Sequence, residues 1–245
     1  MIEQHALIAV AALLAAGVTF FSGFGLGTAL LPAFAAFLPT DAAVAAIAIV
    51  HLLNNALKFG LLYRYVAKGV FLKFGLPALA FAPLGAFVLD RVARNARVVD
   101  VVIAVLLGVV GVQQLVPALS KFSFDERFLV PGGAASGFLG GVAGLQGALR
   151  SAFLVRAGLD RDSFLATGVA VALVVDVSRI ATYAAQGTLR LEGDALSLAV
   201  TGVMAASVGA LVGNRLLRSV TIRAIEVVVG VLLVLIAIAL GAGLI

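Results

Sequence analysis

Four charged residues, Lys58, Arg150, Asp176 and Arg179, are embedded in stretches otherwise built from Ala, Val, Leu, Phe and Gly. A charge at the centre of a membrane helix costs about 2.5–3.5 kcal/mol on insertion, so charges kept there are candidates for binding or translocating an ion. Asp176 and Arg179 are three residues apart and share a helix face, which lets the carboxylate partly neutralise the guanidinium. Asn55 and Lys58 have the same spacing, and there Asn55 can only hydrogen-bond Lys58. Three cations against one carboxylate leave a net charge of +2 if all four face one cavity. Such a site prefers an anion. His51, one turn before Asn55, and Asp176 are the candidates for proton coupling, although a packed histidine and a plain Asp176–Arg179 pair would look the same.

The elements that must position these groups are helices in a bilayer. Hydrophobic residues make up 63% of the 245-residue chain, charged residues 12%, and the mean hydropathy is +1.19. Soluble domains are near half apolar and a quarter charged. The expected class is therefore an all-α polytopic membrane protein. The excess of five positive charges and the pI near 10.1 do not point to nucleic acid, because the basic residues cluster between apolar runs as positive-inside topology requires. Without cysteine there is neither a disulfide nor a thiolate site, and two separated histidines make a metal centre a poor reading. No catalytic constellation and no cofactor is expected. A membrane-embedded enzyme would need a deep nucleophile or paired carboxylates, and cation selectivity would need acidic rings.

The apolar runs come in two matching sets of four. Residues 6–38, 41–63, 70–89 and 98–119 are answered by 128–155, 163–185, 195–217 and 222–244, with the polar stretch 120–127 between them. About eight spans in two four-span repeats, residues 1–122 and 123–245, are expected. Gly25-Leu26-Gly27 through Pro32-Ala33-Phe34 aligns with Gly144-Leu145-Gln146-Gly147 through Ala152-Phe153, and Leu53–Phe59 aligns with Val174–Ile180. The alignment sets Asn55 against Asp176 and Lys58 against Arg179.

The first run of each half is too long for one crossing. About 33 residues of helix reach roughly 50 Å, against a hydrocarbon core of about 30 Å, so the segment must tilt, break or fold back. Gly23, Gly25 and Gly27, and Gly140, Gly141, Gly144 and Gly147, weaken helix at matching places. Either they serve close helix packing, or they break helices that line a cavity. In the second case Gly25, Gly27, Gly144 and Gly147 would present backbone N–H groups to an anion, beside Lys58, Arg150 and Arg179 as charges and Asn55 and Gln146 as amide donors. Lys58 and Arg179 could instead be anchors that snorkel to the interface, and Arg150 could bind freed carbonyls.

Two arginine clusters, Arg91/Arg94/Arg97 and Arg215/Arg218/Arg223, follow the third and seventh runs. Placing both in the cytoplasm makes the halves parallel repeats with both termini outside, at the cost of Arg64, Lys68 and Lys73 lying outside too. Counting each long first run as two crossings makes the repeats inverted.

These residues carry a resemblance. The duplicated four-span unit, Gly25-Leu26-Gly27 through Pro32, and the Gly-Ala turn into arginines at Gly85-Ala86 and Gly209-Ala210 resemble the TauE/SafE family of sulfite-exporter-like permeases over nearly the whole chain. Ser151 stands where the family usually has proline. The resemblance implies secondary transport of a small anion, sulfite or a related organosulfur compound, across a bacterial inner membrane. Transport of another small solute or a metal cation, or an anion channel, is the alternative. The partners this implies are the small anion and the lipid bilayer, with self-association into a homo-oligomer left open.

Overall fold

The computed structural model describes residues 2–22, 25–93, 96–120, 123–144, 146–187, 189, 191–216 and 222–243. Among these the regular structure is helical and no strand occurs. The first half contains α1 (Ile2–Ser22), α2 (Leu26–Ala35), α3 (Thr40–Leu62), the short α4 (Lys68–Val70), α5 (Leu76–Ala93), α6 (Ala96–Leu115) and the short α7 (Pro117–Ser120). The second contains α8 (Leu129–Ala143), α9 (Gly147–Leu154), α10 (Arg161–Gln186), α11 (Gly193–Leu216) and α12 (Ile222–Ala242). A single wide turn at Phe71–Gly75 joins α4 to α5, so both belong to one span.

Among the described residues four helical segments are long and apolar enough to cross a membrane: Ala42–Tyr65, Lys68–Arg91, Arg161–Gln186 and Gly193–Val212, with shorter apolar helices beside them. Exposed side chains recur at helical spacing, as in Leu7, Val10 and Leu14 on α1, and Val105, Val109 and Val112 on α6. In water such stripes would be a liability; facing lipid they are the expected surface. The long α10 starts cleanly because Asp160 accepts a hydrogen bond from the Ser163 backbone N–H at 2.7 Å. That bond holds the Asp160 carboxyl below the usual carboxylate range.

Both overlong runs are interrupted where the glycines stand. Gly25 has φ 105° between α1 and α2, and Gly144 has φ 72° at the end of α8. Only glycine adopts this conformation without strain, so a helix cannot continue through either position. Gly23 and Leu145 lie outside the described residues.

Hydrogen bonds between distant residues fix which way each helix runs. At one end of the bundle His5 bonds Ser197 at 2.8 Å, the Thr40 hydroxyl donates to Asp100 at 2.9 Å, and Arg97 donates to the Leu240 carbonyl at 3.0 Å. At the other end the Ala67 N–H donates to the Thr167 hydroxyl at 2.9 Å, Lys73 pairs with Glu126 at 3.1 Å, and the Phe124 N–H donates to the Ala152 carbonyl at 3.0 Å. Helix α8 therefore starts, and α9 finishes, at this second end. The first pair behaves likewise from the opposite side, with α1 starting and α2 finishing at the first end.

Packing follows the same directions. Helix α1 lies along α11 and α8 along α5, each pair parallel, while α3 crosses α10 and α6 crosses α12 antiparallel. This contradicts the parallel arrangement drawn from the two arginine clusters. Arg91 at the end of α5 lies at the first end, whereas α11 carries Arg215 to the second end. Charge clusters alone misled because a broken, returning segment adds no net crossing. Arg94 and Arg218 lie outside the described residues.

The α5–α8 contact is made by glycines. A Cβ on Gly137 would stand 2.5 Å from Ala78 Cα, and those on Gly133 and Gly141 would meet the backbones of Phe74 and Ala82. Residues 133, 137 and 141 are four apart and form one face, so the helices approach backbone to backbone. For Gly141 the packing reading is therefore the right one, and it is Gly144 that breaks the helix.

Candidate functional site

The two breaks meet inside the bundle. A Cβ on Gly27, the second residue of α2, would lie 3.6 Å from the Gly144 carbonyl oxygen and 3.7 Å from the His51 ring. Beside this junction α3 crosses α10, which brings His51 and Asn55 against Asp176.

Asp176 is fully buried and is the hub of a hydrogen-bond network. His51 Nδ1–H donates to Asp176 Oδ2 at 2.6 Å, and Asn55 Nδ2 donates to the same oxygen at 3.1 Å. Arg179 donates to Oδ1 from Nε at 3.1 Å, and its Nη2 forms an ion pair with the same oxygen at 2.9 Å. A carboxylate that only accepts fixes the His51 tautomer, since the ring nitrogen facing it must carry the proton. Asn55 was expected to bond Lys58 and serve the substrate. Its amide nitrogen donates to Asp176 rather than bonding Lys58, and the side chain also lines the cavity that Lys58 faces.

Arg179 is 1% exposed, so it does not snorkel. Its guanidinium occupies the space where Gly144 lacks a side chain, with Nη1 2.7 Å from where a Cβ would sit. The break thus gives room to a charge as well as bending the chain. Tyr183, one turn further along α10, donates from its hydroxyl to the Gly141 carbonyl at 2.5 Å and so ties α10 to the end of α8. Sequence reading missed Tyr183. Its signal was the helical spacing from Arg179, but the carbonyl it binds is identified only by the fold.

Lys58 is 5% exposed, which removes the anchoring reading for it as well. Its ammonium lies 5.6 Å from the centre of the Phe20 ring, and among the described residues no carboxylate is within ion-pair distance of it. It faces a cavity lined by Thr19, Phe20, His51, Asn54, Asn55 and Leu62. Leu62, the residue aligned with Tyr183, is part of this lining. The cavity lies toward the second end of the bundle, where Ala67 meets Thr167.

Arg150 is buried on α9, with Nε 3.5 Å from where a Cβ on Gly168 would stand, and close enough to feel the charges of Asp176 and Lys58. Gln146 is completely buried just before α9, and among the described residues both polar atoms of its side chain lack a hydrogen-bond partner. Gly147 opens α9, and its carbonyl accepts the Ser151 hydroxyl at 2.9 Å. Gly25 and Gly27 flank the start of α2. The structure thus gathers the charges of both halves around the junction of the broken helices, an arrangement that can hold an anion and can hold a proton on the His51–Asp176 pair.

The family described as Sulfite exporter TauE/SafE matches this chain over residues 8–240. Neither the curated proteins nor the solved structures contain a match.

Proposed function

The chain belongs to the sulfite exporter TauE/SafE family and is a multi-pass membrane transport protein; from that premise we propose that it is a secondary permease for a small sulfur-containing oxyanion, sulfite or a sulfonate, in a bacterial inner membrane. The observation that carries this reading is the buried charge. Asp176 is bonded to Arg179, while Lys58 faces a cavity and Arg150 lies buried close by. Buried charges persist when they are paired, so the buried Lys58 ammonium facing a cavity favours an anion. Gly25, Gly27, Gly144 and Gly147 would let the broken helices offer backbone N–H groups to it, and Gln146 an amide. His51 and Asp176 would carry a proton if movement is coupled. Leaving a cell with a negative interior is downhill for a monovalent anion by about 2.3 kcal/mol per 100 mV, so export needs no coupling ion.

We read the architecture as two inverted repeats, residues 1–122 and 123–245, each a broken segment that returns to its own side followed by three crossings, in place of four crossings per half. Support comes from the crossings: α3 packs antiparallel to α10 and α6 to α12, each helix against its own equivalent. An axis in the membrane plane gives that relation, and it suits alternating access.

The test is flux into proteoliposomes. Saturable sulfite or sulfonate movement, lost by about tenfold or more in Arg150→Ala with the fold intact, is expected. Undiminished flux in that variant, or movement of divalent cations, overturns the assignment.

Orientation follows from the exposed basic residues. Arg64, Lys68, Lys73, Arg127, Arg156 and Arg161 lie toward the second end, but only Arg91 and Arg97 among the described residues lie at the first. The second end is then cytoplasmic and both termini are outside. The chain has no cysteine, so single replacements report cleanly. An impermeant maleimide added to spheroplasts should label Glu192→Cys at once and Lys68→Cys only after permeabilisation. The reverse pattern inverts the orientation.

A further inference from the structure

We propose that Thr19 and Asn54 join Lys58 in a receiving subsite for a monoanionic oxyanion that still carries a proton, an assignment resting on the permease reading. Asn54 is 1% exposed and Thr19 is 3% exposed. Among the described residues neither the amide nitrogen nor the carbonyl oxygen of Asn54 has a hydrogen-bond partner, and the Thr19 hydroxyl has none. All three atoms belong to side chains that line the cavity faced by Lys58. Buried polar groups are normally satisfied, and unsatisfied ones in the wall of a cavity mark where something polar binds; the cavity as it stands, about 10 Å³, has room for one water, so an anion enters as the site opens. Asn54 precedes Lys58 by four residues and shares its helix face, whereas Asn55 is turned toward Asp176.

The chemistry of these groups selects the ligand. Lys58 Nζ, Asn54 Nδ2 and the Thr19 hydroxyl can donate to the oxygens of an anion, but Asn54 Oδ1 can only accept. A fully ionised dianion would turn a negative oxygen on that carbonyl and bring two charges to one ammonium. A monoanion without an acidic proton, such as a simple sulfonate, would leave the carbonyl unsatisfied. A hydrogen oxyanion such as hydrogensulfite matches one cation in charge and supplies the missing donor.

The experiment is calorimetric binding to the purified full-length protein in mildly acidic buffer, where sulfite carries its proton, with sulfite, sulfate and methanesulfonate as probes. Sulfite is expected to bind at least tenfold tighter than either of the others. Asn54→Leu should weaken sulfite binding by tenfold or more and leave the melting temperature unchanged or raised, because it removes an unsatisfied buried amide. Equal affinity for methanesulfonate, or sulfite binding untouched by Asn54→Leu, overturns this subsite and leaves the permease reading standing. A wild-type protein that binds and transports none of the three overturns both. Should Asn54→Leu misfold, the near-isosteric Thr19→Val decides: threefold or greater weakening of sulfite binding supports the subsite, and unchanged binding rejects it.

Discussion

Asp176→Ala is expected to be the most damaging single substitution in the chain. It removes the acceptor for His51, Asn55 and Arg179 at once and leaves the Arg179 guanidinium buried without its counter-charge. Breaking a buried ion pair from one side costs about 3–5 kcal/mol. For a domain of this length that corresponds to a fall of roughly 6–20 °C in Tm. Thermal unfolding of the detergent-purified protein, with monodispersity followed by size exclusion, measures it. Replacing both partners by apolar residues of similar volume, as in Asp176→Leu with Arg179→Met, should recover part of the loss, because Arg179 is then not left stranded while His51 and Asn55 still lack their acceptor. The double variant should fold without regaining flux. A single variant as stable as the wild type would mean that the carboxylate is not holding the arginine.

The second large effect is expected at the glycine seam between α5 and α8. A methyl group at Gly137 would come within 2.6 Å of the Ala78 carbonyl carbon, and that obstacle is backbone, which cannot swing aside as a side chain can. Overpacking of this kind costs about 1–3 kcal/mol, and Gly137→Val should exceed Gly137→Ala. Gly60 on α3 is the internal control. A Cβ there meets nothing within 4 Å, so Gly60→Ala should be neutral or stabilising by up to about 1 kcal/mol through helix propensity. Equal effects at Gly137 and Gly60 would show that propensity, not close approach, governs both.

Much of this arrangement was legible from the residues. Run lengths located the helices to within a few positions, since a membrane helix must be apolar for most of its length, and the glycines marked both breaks. The Asp176–Arg179 pair followed from spacing alone. Adjacent asparagines were not separable in this way, because successive helical residues point about 100° apart and only the neighbouring helix decides which face is the inner one. Asn55 met α10 and Asn54 met the cavity. Chain direction was misread for a different reason. Basic residues report which side a loop lies on only when the crossings before it are counted correctly, and a run that turns back at Gly25 or Gly144 cannot be counted from hydropathy.

The parallel contact between α1 and α11 bears on how the protein is made. His5 reaches a partner 192 residues further along, and Leu13 lies against Gly209. At synthesis rates of about 5–20 residues per second, α1 waits on the order of 10–40 s before α11 leaves the ribosome. Helix α8, by contrast, finds α5 already inserted. During that interval the face of α1 that Gly209 will meet at Leu13 has no partner of its own chain. The first half therefore waits with one face of α1 uncovered until α11 is inserted.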